Sequence, residues 1–427
     1  MAGDTLAQKI IARAAGLTHV AVGDDVTVRV DLLMAHDGSG PRRWRPRMEA
    51  LGAPLWDPDK VVLVTDHYVP AEDQVAADIL QETRDFARDY GVQKFFDMEG
   101  ICHAILPEKG LLKPGMFVAG GDSHTTMGGA YACYAAGFGA TDTTGIAITG
   151  ETWTTVPETI LVQLNGQLNF AVTAKDIMLR LCRELGMDNS FKVIEYTGSG
   201  VANMAMAERT VLSNMAAELG AETGLIGVDG VTIDALAATG VDTAGAEAWA
   251  SDADAQYSKC FTLGASGLEP QIAAPHSPVN SDDIGHFIGT QVDQCYIGAC
   301  VGAKLTDLHM AAAVLRGRQV APGTRLVVAP STAFTMQAAL ADGTLRILED
   351  AGATFLPSGC GACAGFGGRA LGDGDVCLST TNRNFKGRMG HANSRVYLGS
   401  AYAAAAAAVT GEITDPRDFL DANRTAA

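Results

Sequence analysis

The chain reads as an α/β protein built from several layered units, and three observations point there. Short β-branched runs bounded by Gly, Pro, Asp or Asn alternate with stretches of helical spacing along the whole sequence, the pattern of strands and helices layered around parallel or mixed sheets. Its 427 residues exceed what one hydrophobic core ordinarily holds, so two or three units are expected. With 47% apolar and 19% charged residues it has material for sizeable cores and too little polarity for a disordered chain.

In chain order, MAGDTLAQKIIARAAGLT (1–18) has amphipathic helical spacing and no long apolar centre, so a signal peptide is not expected. Strands are expected at 61–69, 158–166, 192–196, 324–330 and 353–359, with strand-like runs at 116–121, 295–304 and 376–380. Helices are expected over 72–91 and 173–186, each ending in glycine. NMAAELGAETG (214–224) reads as further helix, and Ala403–Ala408 as a short packed one. The polar stretch 251–259 precedes a Pro-rich, irregular connector at 268–285. Boundaries near 158 and 268 divide the chain into units 1–158, 159–267 and 268–427.

Acidic residues outnumber basic ones 49 to 31, a net charge of −18. Such a surface argues against nucleic acid and anionic membranes as partners. No apolar run approaches the roughly 20 residues of a membrane span. The nine cysteines are odd in number and irregularly spaced, unlike a secreted disulfide framework. A reduced thiol set in a cytoplasmic protein is the expectation, with some thiols serving as buried small hydrophobes and others holding metal.

The strongest chemical signal is SGCGACAGFGG (358–368), where Cys360 and Cys363 form a CxxC embedded in glycine; Cys300 lies in a Gly-Ala-Cys turn sixty residues earlier. A redox dithiol would sit in a small thioredoxin-like unit. A structural zinc site would need a fourth ligand, and no second CxxC exists. Three thiolates suit a [4Fe–4S] cluster with one iron left without a protein ligand, an open Lewis acid. Thr380–Arg388 packs Asn382, Arg383, Asn384 and Arg388 into one loop, a carboxylate clamp if not an ordinary basic turn.

The N-terminal third carries acid–histidine pairs at strand ends, Asp66-His67 and Asp122-Ser123-His124, suited to proton transfer. DSH is not a hydrolase triad, because adjacent residues point apart and no GxSxG occurs. His36-Asp37, His103 and Glu195 are further candidates. The strand–Gly198-Ser199-Gly200–helix sequence resembles a dinucleotide turn but has Asn203 at the third glycine position.

Taken in order, TLAQKIIARAAG, LLMAHDGSGP, VTDHYVP, GICHAILPEKGLLKPG, GGDSHTTMGGA, VIEYTGSGV, SNMAAELGAETG, LEPQIAAPHSPVN, SGCGACAG, TTNRNFKGRMG and ITDPRDF resemble the aconitase superfamily, above all large subunits of the 3-isopropylmalate dehydratase type. The resemblance implies three α/β domains around a central cleft, with the fourth, swivelling domain absent from this chain and supplied by a small-subunit partner in a heteromer. It implies a [4Fe–4S] cluster on Cys300, Cys360 and Cys363, with one iron lacking a protein ligand. Asp66 and His67 correspond to the pair that helps protonate the departing hydroxyl, and Asp122 and His124 to a second pair with Ser123 between them. His36 matches a substrate-side position, Glu195 a glutamate near the iron-bound water, and Asn382, Arg383 and Arg388 the cluster-proximal amide and carboxylate-binding arginines. The implied activity is a hydro-lyase reversibly dehydrating a malate-type hydroxy-dicarboxylate. Around Cys300 the sequence departs from the Gly-Ser-Cys-Thr-Asn-Gly of many relatives, removing hydroxyl and amide neighbours. A mononuclear metal at the same thiolates, and a non-enzymatic regulatory binding protein, are the alternatives.

Overall fold

The computed structural model describes residues 3–366 and 370–421. Three sheets take their strands from three consecutive stretches of chain, and an antiparallel ribbon pairs Asp25–Arg29 with Glu151–Thr155. The first sheet is wholly parallel, in the spatial order Lys94–Asp97, Val61–Thr65, Leu32–His36, Phe117–Gly120, Tyr134–Gly137. Numbered along the chain this is 3-2-1-4-5, a doubly wound sheet whose winding reverses beside Leu32–His36. Leu32–His36 and Val61–Thr65 are buried at every position, which is why they read as continuous apolar runs.

The second sheet is also parallel, ordered Thr223–Ile226, Lys192–Thr197, Glu158–Asn165, Lys259–Gly264. The third has a parallel core of Thr354–Phe355, Arg325–Val328, Gln294–Ile297, Val376–Ser379 and Arg395–Leu398, again 3-2-1-4-5, with Gln271–Ala273 and Ser281–Asp283 added antiparallel at the Arg395–Leu398 edge.

Helix ends follow local chemistry. Asp73 Oδ1 accepts from Ala76 N at 2.7 Å to start Gln74–Asp89, and Thr173 with Asp176 forms a capping box on Ala174–Leu185. In Ala401–Thr410 the run Ala403–Ala408 is fully buried.

Three expectations are corrected. The segment 214–224 is a short 3-10 turn, Met215–Leu219, followed by the strand Thr223–Ile226; Gly220, at φ 76°, breaks the helical path. The run 295–304 is strand only as far as Ile297, and pairing at 353–359 is confined to Thr354–Phe355 ahead of Pro357. Gly198 and Gly200 are explained by packing: a Cβ on Gly198 would lie 2.3 Å from the Leu164 carbonyl oxygen and one on Gly200 2.6 Å from the Leu164 side chain. No described helix is long and apolar enough to cross a membrane.

Candidate active site

In doubly wound sheets, residues just past the carboxyl ends of the strands share one crevice, centred where the winding reverses. His36 ends one strand of the first sheet, Asp66 and His67 follow its neighbour Val61–Thr65, and Asp122 and His124 follow Phe117–Gly120 on the other side. The third sheet does the same with Cys300 after Gln294–Ile297, Asn382 and Arg383 after Val376–Ser379, and the CxxC after Thr354–Phe355. Residues scattered over some 350 positions of sequence thus meet because two sheets turn their carboxyl edges toward one another.

Asp122 is the hub of four imidazoles. Its carboxylate lies 2.8 Å from His103 Nε2, 3.4 Å from His124 Nδ1, 3.8 Å from His67 Nε2 and 3.9 Å from His36 Nε2. His36 and His67 stack with ring centroids 3.6 Å apart. His67 Nδ1 is held 2.6 Å from Asp66 Oδ1, while Asp66 Oδ2 accepts from the Cys102 amide at 2.8 Å. Asp37 accepts the amides of His67 and Tyr68 at 3.1 and 2.8 Å. Burial alone would lower His67; the Asp66 charge and hydrogen bond, with Asp122 and Asp37, overcome this and raise it to about 9. Burial wins at His103, which is lowered. Asp122 is half-buried, and although desolvation would raise it, His103 and His124 hold it well below the carboxylate range.

On the other side, His124 Nε2 lies 2.9 Å from Glu218 Oε1, which also accepts from Arg383 Nε at 2.7 Å. Burial opposes the proton on His124, but Glu218 and Asp122 raise it to about 9. Asn214, at the end of the helix Met206–Asn214, donates from Nδ2 to Cys300 Sγ at 3.2 Å and accepts from Asn382 Nδ2 at 2.5 Å. Cys300 therefore has two amide neighbours supplied from elsewhere in the chain, although its own loop lacks them.

The three thiols are buried and feel one another's charge. Cys300 is pushed up to about 12, chiefly by burial and next by Cys363. Cys360 and Cys363 share a proton: Cys360 keeps it, and its hydrogen bond, helped by Arg388 and His124, pulls Cys363 below the ordinary thiol range. The CxxC loop lies on the Asp66–Val69 loop, with Cys360 N donating to Asp66 O at 2.8 Å. A Cβ on Gly361 would lie 2.8 Å from the Phe366 carbonyl oxygen and 2.9 Å from that of Val69. Glycine is what permits this approach.

Two sequence expectations sit differently. Glu195 is not brought to this network: its carboxylate accepts from Ser251 Oγ at 2.7 and 2.8 Å and from Tyr257 OH at 3.2 Å, beside a separate cavity of about 430 Å³ at the edge of the second sheet. The strand Lys192–Thr197 belongs to that sheet, so its carboxyl end opens elsewhere. The glutamate that meets the histidines is Glu218. Ser123 is exposed. Asn214 and Glu218 went unassigned in the sequence, although both lie in SNMAAEL, four residues apart on what reads as one helical face.

A profile described as the aconitase family (aconitate hydratase) matches residues 8–411. The chain belongs to the aconitase family. It is 42% identical over 422 residues to the 3-isopropylmalate dehydratase large subunit 1 of Methanopyrus kandleri, covering 98% of this chain and all of that one. The methanogen homoaconitase large subunit of Methanocaldococcus jannaschii is 42% identical over 97% of this chain and its own whole length. The 3-isopropylmalate dehydratase large subunit of Moorella thermoacetica is 39% identical over 98% of this chain. This aconitase-family chain is accordingly a hydro-lyase.

The family implies an iron–sulfur cluster, and the residues present fit one. Three buried thiols gather with soft donor character. Around them Arg388 Nε, Glu218 Oε2 and His103 Nδ1 are buried with no hydrogen-bond partner among the described residues. Such orphans each cost about 1–3 kcal/mol, and they mark where a bound group completes the site.

Proposed function

We propose that this aconitase-family chain is the large subunit of a two-chain hydro-lyase that reversibly dehydrates a malate-type hydroxy-dicarboxylate. The substrates that fit are isopropylmalate-like acids, methylmalate, dimethylmalate or the malate/maleate pair. Cys300, Cys360 and Cys363 would hold a [4Fe–4S] cluster with one iron free of protein ligands; bound there, it supplies a Lewis acid for hydroxyl and carboxylate oxygens. The supporting observation is the meeting of those thiols with carboxylate-paired imidazoles and two arginines at facing sheet edges.

The chain's own residues divide the remaining work. His67, with Nδ1 tied to Asp66, carries a proton on Nε2 at neutral pH and is the donor to the departing hydroxyl. His124, paired with Glu218, is the second proton holder. Arg383 and Arg388 bind substrate carboxylates as bidentate forks, and His36, stacked on His67, walls the substrate side. Ser123, between Asp122 and His124, reaches substrate from the exposed rim. The relatives named as large subunits support a separate small-subunit partner, which completes the site with the base that removes the proton α to a carboxylate.

The test is co-expression with a small subunit, anaerobic reconstitution and a panel of C4 to C7 hydroxy-diacids. Brown protein with iron and acid-labile sulfide, turning over one of these acids and inactivated by air, is expected. A colourless, air-stable, fully active enzyme carrying one equivalent of another metal would instead place a mononuclear centre on the same thiols.

A further inference from the structure

Lys175 is a buried cation that the chemistry above leaves unused. It is the second residue of Ala174–Leu185 and only 4% exposed. Its Nζ donates to the main-chain carbonyls of Thr381 at 2.6 Å and Thr380 at 3.3 Å, and no carboxylate of the described residues lies within ion-pair distance. Burying an ammonium on two neutral acceptors is costly, and the first turn of a helix is the wrong end for a cation. A methionine would fill the same space without either cost.

What Lys175 holds is the segment that carries the site. Thr380 Oγ1 accepts from Gly298 N and donates to Gly298 O, both at 2.9 Å, and a Cβ on Gly302 would lie 2.3 Å from Thr380. The Cys300 loop and residues 380–383 are thereby locked together, with Asn382 aimed at Cys300 and Arg383 at Glu218. Burial lowers the ammonium to about 8, against the charges of Glu218, Cys182, Cys363 and Cys300, so it is still the cation that predominates at neutral pH.

We propose that Lys175 is a positioning residue: it anchors the 380–383 segment through two carbonyls and stands as a buried positive charge beside Val301 and Gly302 of the Cys300 loop. The proposal rests on the cluster reading above. A positive charge there stabilises the more negative, reduced state of a cluster and so raises its potential.

The experiment compares reconstituted wild type with Lys175→Met, Lys175→Gln and Lys175→Arg, by EPR-monitored reduction and by KM in the complex with the small subunit. The expected result is a more negative potential in the Met and Gln variants and a wild-type potential in Arg. KM rises about tenfold in Met, which loses both donors, the size usual for supporting-shell changes, with kcat less affected. If Met fails to fold, Gln carries the test. A wild-type potential in the neutral variants overturns the proposal whatever their KM. Failure of the wild type itself to bind iron and sulfide would sink the cluster reading instead.

Discussion

Glu218 Oε1 sits 2.9 Å from His124 Nε2 and 2.7 Å from Arg383 Nε, so one buried oxygen joins an imidazole of the first sheet to a guanidinium of the third. Its ionised form is favoured despite burial because His124, Arg383 and Lys175 all act on it, and its pKa is lowered. The pair therefore sits as imidazolium and carboxylate at neutral pH, with its proton held until about pH 9.

Replacing Glu218 by Gln keeps the shape and removes the charge. The His124 pKa should fall from about 9, and kcat/KM should drop by about 10²–10⁴, the range for losing a proton-transfer group. The alkaline limb of the kcat/KM profile should move to lower pH. An unmoved limb would show that His124 is not the group reporting there.

The cluster-free chain should be less stable in alkali. His67 and His124 are both raised from 6.5 to about 9, so the folded state holds protons that the unfolded chain has released. Their contribution is complete below pH 6.5 and lost as pH rises through 9. It amounts to at most about 3 kcal/mol per histidine. Asp122 runs the other way: lowered well below 3.8, it stabilises above that value and is lost in acid. The lowered Cys363 thiol opposes this trend above pH 5, so the comparison is made in the Cys363→Ser chain: its urea midpoint should be higher near pH 6 than near pH 9.5, and a flat profile there would contradict the paired imidazoles.

How much of this was legible beforehand depends on distance along the chain. His67, His124, Cys360 and Arg383 each announce themselves in a local pattern, as do the β-branched run at 61–65 and the Ile160–Val162 centre of the strand at 158–165. Asn214 and Glu218 carry no such mark: they lie in a stretch whose composition is that of a plain helix, and only the packing of that stretch against Ser123–Tyr131 brings them to His124 and Cys300. Glu195 is the converse. A strand-end glutamate is a reasonable active-site candidate, but which of three sheet edges it decorates is a tertiary fact. Lys175 looked like an ordinary helix-start lysine until the fold buried it.

Cysteine variants should fall into two classes. Cys300→Ser, Cys360→Ser and Cys363→Ser should each lose most of the iron and sulfide and the brown colour. Cys133→Ala and Cys377→Ala, at sites fully buried in apolar surroundings, should keep both. Their cost should be in stability, roughly 1–2 kcal/mol for the lost packing. Iron analysis beside thermal melting separates the classes, and a cluster surviving Cys300→Ser at full occupancy would remove that thiol from the ligand set.

Glu195 should prove structural. Its carboxylate holds Ser251, whose Oγ accepts from Leu6 N at 2.7 Å, while Lys9 Nζ donates to Ala250 O at 2.7 Å and pairs with Asp252. The glutamate is thus the inner end of a clamp that docks the N-terminal helix Leu6–Ala15 on the second sheet. Burial raises its carboxyl above the usual range, and Glu195→Gln costs little because it keeps an acceptor oxygen for Ser251 and Tyr257. Glu195→Ala leaves the hydroxyls of Ser251 and Tyr257 without their acceptor, at about 1–3 kcal/mol. The Ala variant should melt earlier and lose its N-terminal segment faster to protease, with kcat/KM within about threefold of wild type once folded, as for a change outside the chemistry. A hundredfold loss of kcat/KM in a well-folded Glu195→Gln protein would return this residue to the chemistry and count against Glu218 as the glutamate of the site.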